Sequence, residues 1–212
     1  MDAIGSNIRI DVRGNAVMRI LPRLNEAVNE EWINDKTRYA CDGLSRQRLD
    51  KPYIRKDGKL QPATWDEAFA AIATRLVGVS GLKIGAIAGD LADCDSMFAL
   101  KDLLAALGSP HLDCRQDGAT YDVTQRAATI MNSGIAGIEQ ADCILLVGTN
   151  PRHEGTLVNS RIRKRWLQGG LRVALVGAKT DLSYPHRHLG TDAKALQELL
   201  DGKGEFAALL EK

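Results

Sequence analysis

A chain of 212 residues with 44% hydrophobic residues, 26% charged residues and a formal net charge of +1 holds enough apolar material for a folded core. It lacks the basic excess of a dedicated nucleic-acid binder, and at this size folding hides roughly 70% of the extended chain's surface without disulfide or metal staples. No apolar run nears the ~18–20 residues that cross a bilayer. Asp2, Arg9, Asp11 and Arg13 interrupt any secretion-signal core, so the expectation is a soluble intracellular protein.

The N-terminus reads as β. Ile8, Ile10 and Val12 alternate with polar residues, Arg13-Gly14-Asn15 supplies a turn, Ala16 to Ile20 returns, and Pro22 closes the hairpin. Residues 23–49 are highly charged and poor in apolar side chains. They predict short helical turns around Glu26–Trp32 and a segment that packs against something else. Thr64 with Glu67 forms a capping box that opens a helix whose Trp65, Ala68, Phe69, Ile72 and Leu76 share one face. Leu82 to Ala88 predicts a buried strand ending at Gly89. A helix with Met97, Leu100, Leu104 and Leu107 on one face follows and stops at Gly108. A short strand at His111–Cys114 and a helix over Asp122–Met131 come next.

The clearest unit is a strand from Ala141 to Val147, a Gly148-Thr149-Asn150-Pro151 loop, a helix from Glu154 to Leu167, a Gly169-Gly170 stop and a strand from Leu171 to Val176. That is the βαβ unit of a parallel sheet. Thr191 is the expected cap of a final helix, Asp192–Leu200. The expected fold class is α/β: a small β-rich subdomain over residues 1–50, then a doubly wound, mainly parallel sheet over residues 51–212.

Few residues suggest chemistry. Gly148 after a buried strand lets a backbone approach a ligand, and the next helix offers free N–H groups to a phosphate. The loop has neither a G-x-G-x-x-G pattern nor a P-loop lysine, so the residues alone favour a glycine kept for the turn. The basic run Arg161, Arg163, Lys164 and Arg165 reads first as a solvated helix face opposite Val158, Ile162 and Trp166; a salt-bridged subunit contact is the alternative. The four cysteines, Cys41, Cys94, Cys114 and Cys143, form no C-x-x-C pair. All four are expected to be free thiols, with Cys94, Cys114 and Cys143 packed as small apolar side chains. His111, His153, His186 and His188 join no acid and nucleophile, and two histidines at 186 and 188 make no metal site alone. No catalytic constellation stands out.

Several stretches together resemble one family. They are Ala3-Ile4-Gly5-Ser6-Asn7-Ile8, Val17-Met18-Arg19-Ile20-Leu21-Pro22-Arg23, Asn29 through Arg38, Asp42-Gly43-Leu44 with Arg46-Gln47-Arg48-Leu49, Val147 through Arg152, and Ser160-Arg161-Ile162-Arg163-Lys164. This ordered set resembles the large iron–sulfur subunit of respiratory complex I, the NADH–quinone oxidoreductase, over essentially the whole chain. The resemblance implies the start of that subunit's molybdopterin-oxidoreductase-like part, with Met1-Asp2 read as a cut into a longer chain and Lys212 giving no sign of a natural terminus.

Cys41 before Gly43 resembles the last [4Fe–4S] ligand of molybdenum enzymes, yet residues 1–40 supply no other cysteine and a cubane usually needs four. Cys41 is therefore expected to be vestigial. Gly148 and Asn150 are the equivalent remnants of a pterin guanine dinucleotide site, because the strand at 171–176 leads into Gly177-Ala178-Lys179 rather than Asp-Pro. The resemblance implies a structural segment without catalytic residues or cofactor of its own. The parent's [2Fe–2S] and [4Fe–4S] clusters are expected in its N-terminal region. Expected partners are that region and other peripheral-arm subunits, with no nucleic acid and no membrane insertion. The expected location is the matrix side of the mitochondrial membrane or the cytoplasmic side of the bacterial inner membrane. An active molybdopterin-dependent oxidoreductase is the alternative.

Overall fold

The structure is a computed structural model that describes residues 2–89, 91–114, 122 and 124–210. The chain divides into two compact units, one made of Met1–Gln47 with Ile130–Lys212 and the other of Arg48–Thr129.

The predicted hairpin forms from β1 (Ile8–Arg13) and β2 (Ala16–Pro22), with a register shift at Asp11 and Val12. The Arg23 N–H donates to the Asn7 carbonyl at 2.9 Å and extends the pairing past the strand ends. No helical turns form at 26–32. A turn closed by an Asn25–Glu30 bridge stands there, and the 2%-exposed Asn29 explains it. Its amide donates to the carbonyls of Arg23, Glu30 and Trp32 at 3.1 Å each, and its oxygen accepts from the Asn7 N–H at 2.9 Å. One side chain thus satisfies backbone groups that a helix would otherwise pair internally. Helix starts later, at α1 (Asp35–Tyr39), where the Asn34 side chain accepts from the Thr37 N–H at 2.7 Å, and a 3-10 turn over Ala40–Ser45 follows.

The second unit opens with a hairpin absent from the sequence expectation, β3 (Tyr53–Lys56) and β4 (Lys59–Pro62). Asp57 and Gly58, at φ +49° and +79°, make the two-residue turn that matches strand twist. The capping box at Thr64 and Glu67 starts α2 (Trp65–Leu76) as expected, with the Glu67 N–H 3.2 Å from Thr64 Oγ1 and the Thr64 N–H 2.8 Å from Glu67 Oε2. Its apolar face is exposed: Trp65 at 64%, Phe69 at 59% and Ile72 at 55%. The strand expected from Leu82 to Ala88 shrinks to β5 (Gly85–Ile87) behind a 3-10 turn, and Leu82 and Ile87 are exposed rather than buried. An Asp93 side chain that accepts from the Ser96 N–H at 2.8 Å caps α3 (Cys94–Ala106), whose buried residue is Leu104. Parallel to β5 lies β6 (His111–Asp113). The expected helix over Asp122–Met131 lies partly outside the described residues, and its described part holds only a 3-10 turn, Arg126–Ala128.

The βαβ unit is present in the first unit. A 3-10 turn at Ala136–Gln140 leads into β7 (Cys143–Val147), and β8 (Arg172–Val176) pairs with it in parallel, Ile144 against Val173 and Leu146 against Leu175. The helix between them is broken at Gly155 into α4 (Pro151–Glu154) and α5 (Thr156–Leu167). A third parallel strand, β9 (Arg187–Gly190), joins β8. Asp192 caps α6 (Ala193–Leu200) in place of Thr191, accepting from the Lys194 and Ala195 N–H groups. A further short helix, α7 (Ala207–Leu210), follows, so α6 is not the last. The architecture is mixed α/β with small sheets. Ile138, Leu146, Ile162, Leu171, Val173, Leu175, Leu182 and Tyr184 form the core. Within it Asn159 donates to the Leu182 carbonyl at 3.1 Å and accepts from the Tyr184 hydroxyl at 2.8 Å, while burial pushes that phenol upward in pKa. Among the described residues no helix is long and apolar enough to cross a membrane.

The basic run on α5 departs in part from the expected solvated face. Arg161 is 4% exposed. It donates to Glu139 at 2.5 Å, to the Glu26 carbonyl at 2.5 Å and to the Val28 carbonyl at 3.3 Å. Lys164 reaches Glu30 at 2.6 Å and Glu139 at 3.1 Å, and Arg165 reaches Asp142 at 3.3 Å and the Gly169 carbonyl at 2.6 Å. A guanidinium has five donors in a fixed fork, so Arg161 can hold a carboxylate and two carbonyls together. It fastens the 25–30 turn to α5. Arg163 and Lys164 keep the exposed position expected of a solvated face, Lys164 while bridging Glu30 and Glu139.

Truncating one member of a buried pair leaves the rest of it desolvated without compensation, so Arg161→Ala should cost about 3–5 kcal/mol of stability in urea unfolding. A loss under about 1 kcal/mol would place the pair among ordinary surface bridges. Burial alone would raise the Glu139 carboxyl, but the hydrogen bond and charge of Lys164, then those of Arg161, outweigh it and hold it below the usual carboxylate range. Its stabilising contribution is complete above the unfolded pKa of about 4.3 and is lost as the pH falls through the lower folded value. Glu139→Gln should therefore flatten the acid limb of stability against pH below about pH 4.3; an unchanged limb would contradict this.

Candidate functional site

The three parallel strands of the first unit end at Val147, Val176 and Gly190, with Gly148 and Gly177 next in the chain. In open α/β sheets ligands bind outside such carboxyl ends, which makes this the place to look. Gly177, at φ +138°, has Gly148 backbone atoms 3.3 Å from where a Cβ would stand, so the two strand ends run against each other. The Gly148 N–H donates to the Val176 carbonyl and the Gly177 N–H to the Gly190 carbonyl, both at 2.8 Å. His188 Nε2 lies 2.8 Å from the Gly177 carbonyl, whereas His186 turns to the Tyr184 carbonyl at 3.3 Å, so the two histidines share no site.

Several loop donors that a dinucleotide phosphate would need are engaged within the chain. Glu154 accepts from the Thr149 hydroxyl at 2.5 Å and from the Asn150 N–H at 3.3 Å. Asn150 donates to Thr180 at 2.9 Å and accepts from the Arg152 N–H at 3.2 Å, capping α4. Arg152, a cation at the end of the same loop, pairs with Asp181 at 2.6 Å. The Ser183 N–H and then Arg152 hold that carboxyl below the usual range. An internal carboxylate thus takes loop donors that an anionic ligand would use. The sequence hides this, because Glu154 lies one position beyond capping-box spacing from Asn150.

Cys41 sits half-buried in the 3-10 turn after α1, its Sγ 3.8 Å from the Arg38 carbonyl. Among the described residues no group of three or more His, Cys, Asp or Glu side chains is placed to hold a metal ion. Residues 1–47 hold one thiol, Cys41, where an iron–sulfur cubane usually takes four. The helical turn that presents Cys41 is itself well anchored. Lys36 donates to the His153 carbonyl at 2.7 Å and Arg38 to the Ile20 carbonyl at 3.5 Å. Two of the remaining three cysteines differ from expectation. Cys143 is half-buried, and burial pushes its thiol pKa upward, but Cys94 and Cys114 are exposed rather than packed inside.

A family model described as molybdopterin oxidoreductase matches residues 48–212, and one described as the NADH-ubiquinone oxidoreductase NDSU1/NuoG-like 4Fe-4S domain matches residues 1–42. The chain is 51% identical over 208 residues to the mitochondrial NADH-ubiquinone oxidoreductase 78 kDa subunit of Neurospora crassa, covering 95% of this chain and 28% of that protein. It is 47% identical to the mitochondrial NADH dehydrogenase [ubiquinone] iron-sulfur protein 1 of Solanum tuberosum, covering 99% of this chain and 29% of that one. Identity to a bacterial NADH-quinone oxidoreductase subunit, from Rickettsia felis, is 49%, with 99% of this chain and 31% of that one covered. The chain therefore spans less than a third of the length of these relatives. The resemblance read from the motifs is borne out. The chain belongs to the molybdopterin oxidoreductase family, and its similarity runs to the large iron–sulfur subunits of NADH–quinone oxidoreductases.

Proposed function

We propose that this chain is a structural segment of a complex I large iron–sulfur subunit, joining the subunit's cluster-bearing end to its molybdopterin-oxidoreductase-like part in the peripheral arm. The observation that carries the reading is the Arg161 cluster. It clamps the stretch matched by the 4Fe-4S domain model to the parallel-sheet layer, through bonds to Glu26, Val28 and Glu139. In this reading the segment does no chemistry and carries no cofactor. Cys41, Gly148 and Asn150 are vestiges, the first of a cluster ligand set and the other two of a dinucleotide pocket. The parent subunit carries [2Fe–2S] and [4Fe–4S] clusters upstream and helps pass electrons from NADH toward quinone. Its place is peripheral, on the matrix or cytoplasmic side.

Two further readings belong to the same proposal. Residues 1–50 act as a small β-rich subdomain and residues 51–212 as the α/β domain, whose short parallel sheets are parts of one doubly wound arrangement in the whole subunit. The exposed apolar face of α2, with Trp65, Phe69 and Ile72, and the charged stretch 23–49 are contact surfaces for the rest of the subunit and its neighbours.

Charge reversal at Arg46 and Arg48 tests the contact. Binding of the variant segment to the separately produced upstream region of its subunit should weaken at least tenfold in a pull-down titration; unchanged binding counts against the surface. Metal and pterin analysis of protein purified without oxygen should find neither molybdenum nor tungsten, and calorimetric titration with GTP should give no heat. Bound pterin with either metal would replace this reading by that of an active molybdopterin enzyme.

A further inference from the structure

Within the second unit, a cavity of about 460 Å³ opens where α3 packs on the C-terminal ends of β5 and β6. Its wall is mainly apolar, from Ala88, Met97, Phe98 and Leu112 beside Lys101 and Asp113, and two of the chain's four free cysteines, Cys94 and Cys114, line it together. The local fold accounts for the pairing. The Ala88 N–H donates to the Asp113 carbonyl at 2.9 Å, which sets Cys114 level with the chain leaving β5. The Ala92 N–H then donates to the Gly89 carbonyl at 3.1 Å, turning the chain back so that the Asp93 cap places Cys94 in the first turn of α3. Both thiols are exposed, unlike the half-buried Cys41 and Cys143.

An exposed thiol is a poor choice for a core-filling side chain, because its reactivity outweighs its packing. Two in one apolar cavity can trap each other's oxidation product before water or a second oxidant does. We propose that Cys94 and Cys114 form a redox-responsive dithiol that closes to an intramolecular disulfide under a peroxide oxidant. One thiolate attacks the peroxide; the O–O bond breaks, a sulfenic acid forms and one water leaves. The second thiolate attacks the sulfenic sulfur, the S–S bond forms and the sulfenic oxygen leaves as a second water. The two cysteines together lose two electrons and two protons, and hydrogen peroxide gains them. The bond ties the start of α3 to the end of β6, so the strands and the helix that frame the cavity become one cross-linked corner. A disulfide needs its Cα atoms within roughly 7 Å, so closure requires Cys94 and Cys114 to meet across the cavity they both line. The proposal stands independently of the role suggested for the segment in complex I.

The full chain, dilute and treated with one equivalent of hydrogen peroxide, should lose two hydrogens in mass and two titratable thiols. A non-reduced digest should then show a peptide linking Cys94 to Cys114. Cys94→Ser and Cys114→Ser should each abolish the link, and Cys41→Ser with Cys143→Ser should retain it. Circular dichroism of every variant separates loss of the link from loss of fold. Separate sulfinic acids at Cys94 and Cys114, links only between copies, or a link to Cys41 or Cys143 in the folded wild-type chain would each overturn the proposal.

Discussion

The fastening of the N-terminal stretch to the parallel sheet depends on one buried guanidinium. Arg161 points inward from α5, and its partners come from two places far away in sequence, the Glu139 carboxylate and the carbonyls of the 25–30 turn. A carbonyl pair and a carboxylate on one planar cation supply it with three acceptors, the kind of compensation a charge needs in a protein interior. Lys164 adds a second bridge to Glu139 and Glu30 from the next turn of the same helix. Asn29 completes the arrangement on the other side, closing the turn through four bonds to backbone and tying it to the base of the hairpin. The N-terminal stretch contributes few buried apolar residues of its own, Ile20 and Ile33 among them, so polar bonds rather than a core hold it.

That balance explains which features were legible in the sequence. Local signals survived intact. The Thr64–Glu67 capping box, the strand–loop–helix–strand run from Cys143 to Val176 and the Gly14 turn each depend on neighbours within a few residues, and each appears where the pattern puts it. The Asp57-Gly58 turn was equally local and was available to the same rule, though it was not among the expected elements. Long-range polar contacts left no such trace. A basic run of Arg161, Arg163, Lys164 and Arg165 has the composition of a wet helix face, and nothing in its spacing says that Glu26 and Val28 will meet it. The turns expected at 26–32 failed for the same reason, because Asn29 draws backbone groups into bonds that a local rule cannot count.

The candidate site was legible as a place and not as a chemistry. Strand patterning located the Gly148 loop, and the motif resemblance identified the ligand that such a loop holds in molybdenum enzymes. What fills its donors is Glu154, a single carboxylate whose role depends on side-chain geometry. Cys41 shows the converse. Its isolation is visible in the sequence, and its surroundings in the fold add an anchored helical turn without adding ligands. Fold and site are separate matters here: the sheet and its crossover match a molybdopterin oxidoreductase family, while Thr149 and Asn150 of the loop both donate to Glu154.

The central claim is that Arg161 carries the attachment of the hairpin and the 25–30 turn to the sheet. Native-state hydrogen exchange of Arg161→Met, which keeps the side-chain volume and removes the fork, tests it directly. The account predicts that amides of β1, β2 and α1 lose at least tenfold in protection while those of β7 and β8 stay close to wild type. Protection that falls equally across all five elements, or remains unchanged in the hairpin, would contradict it.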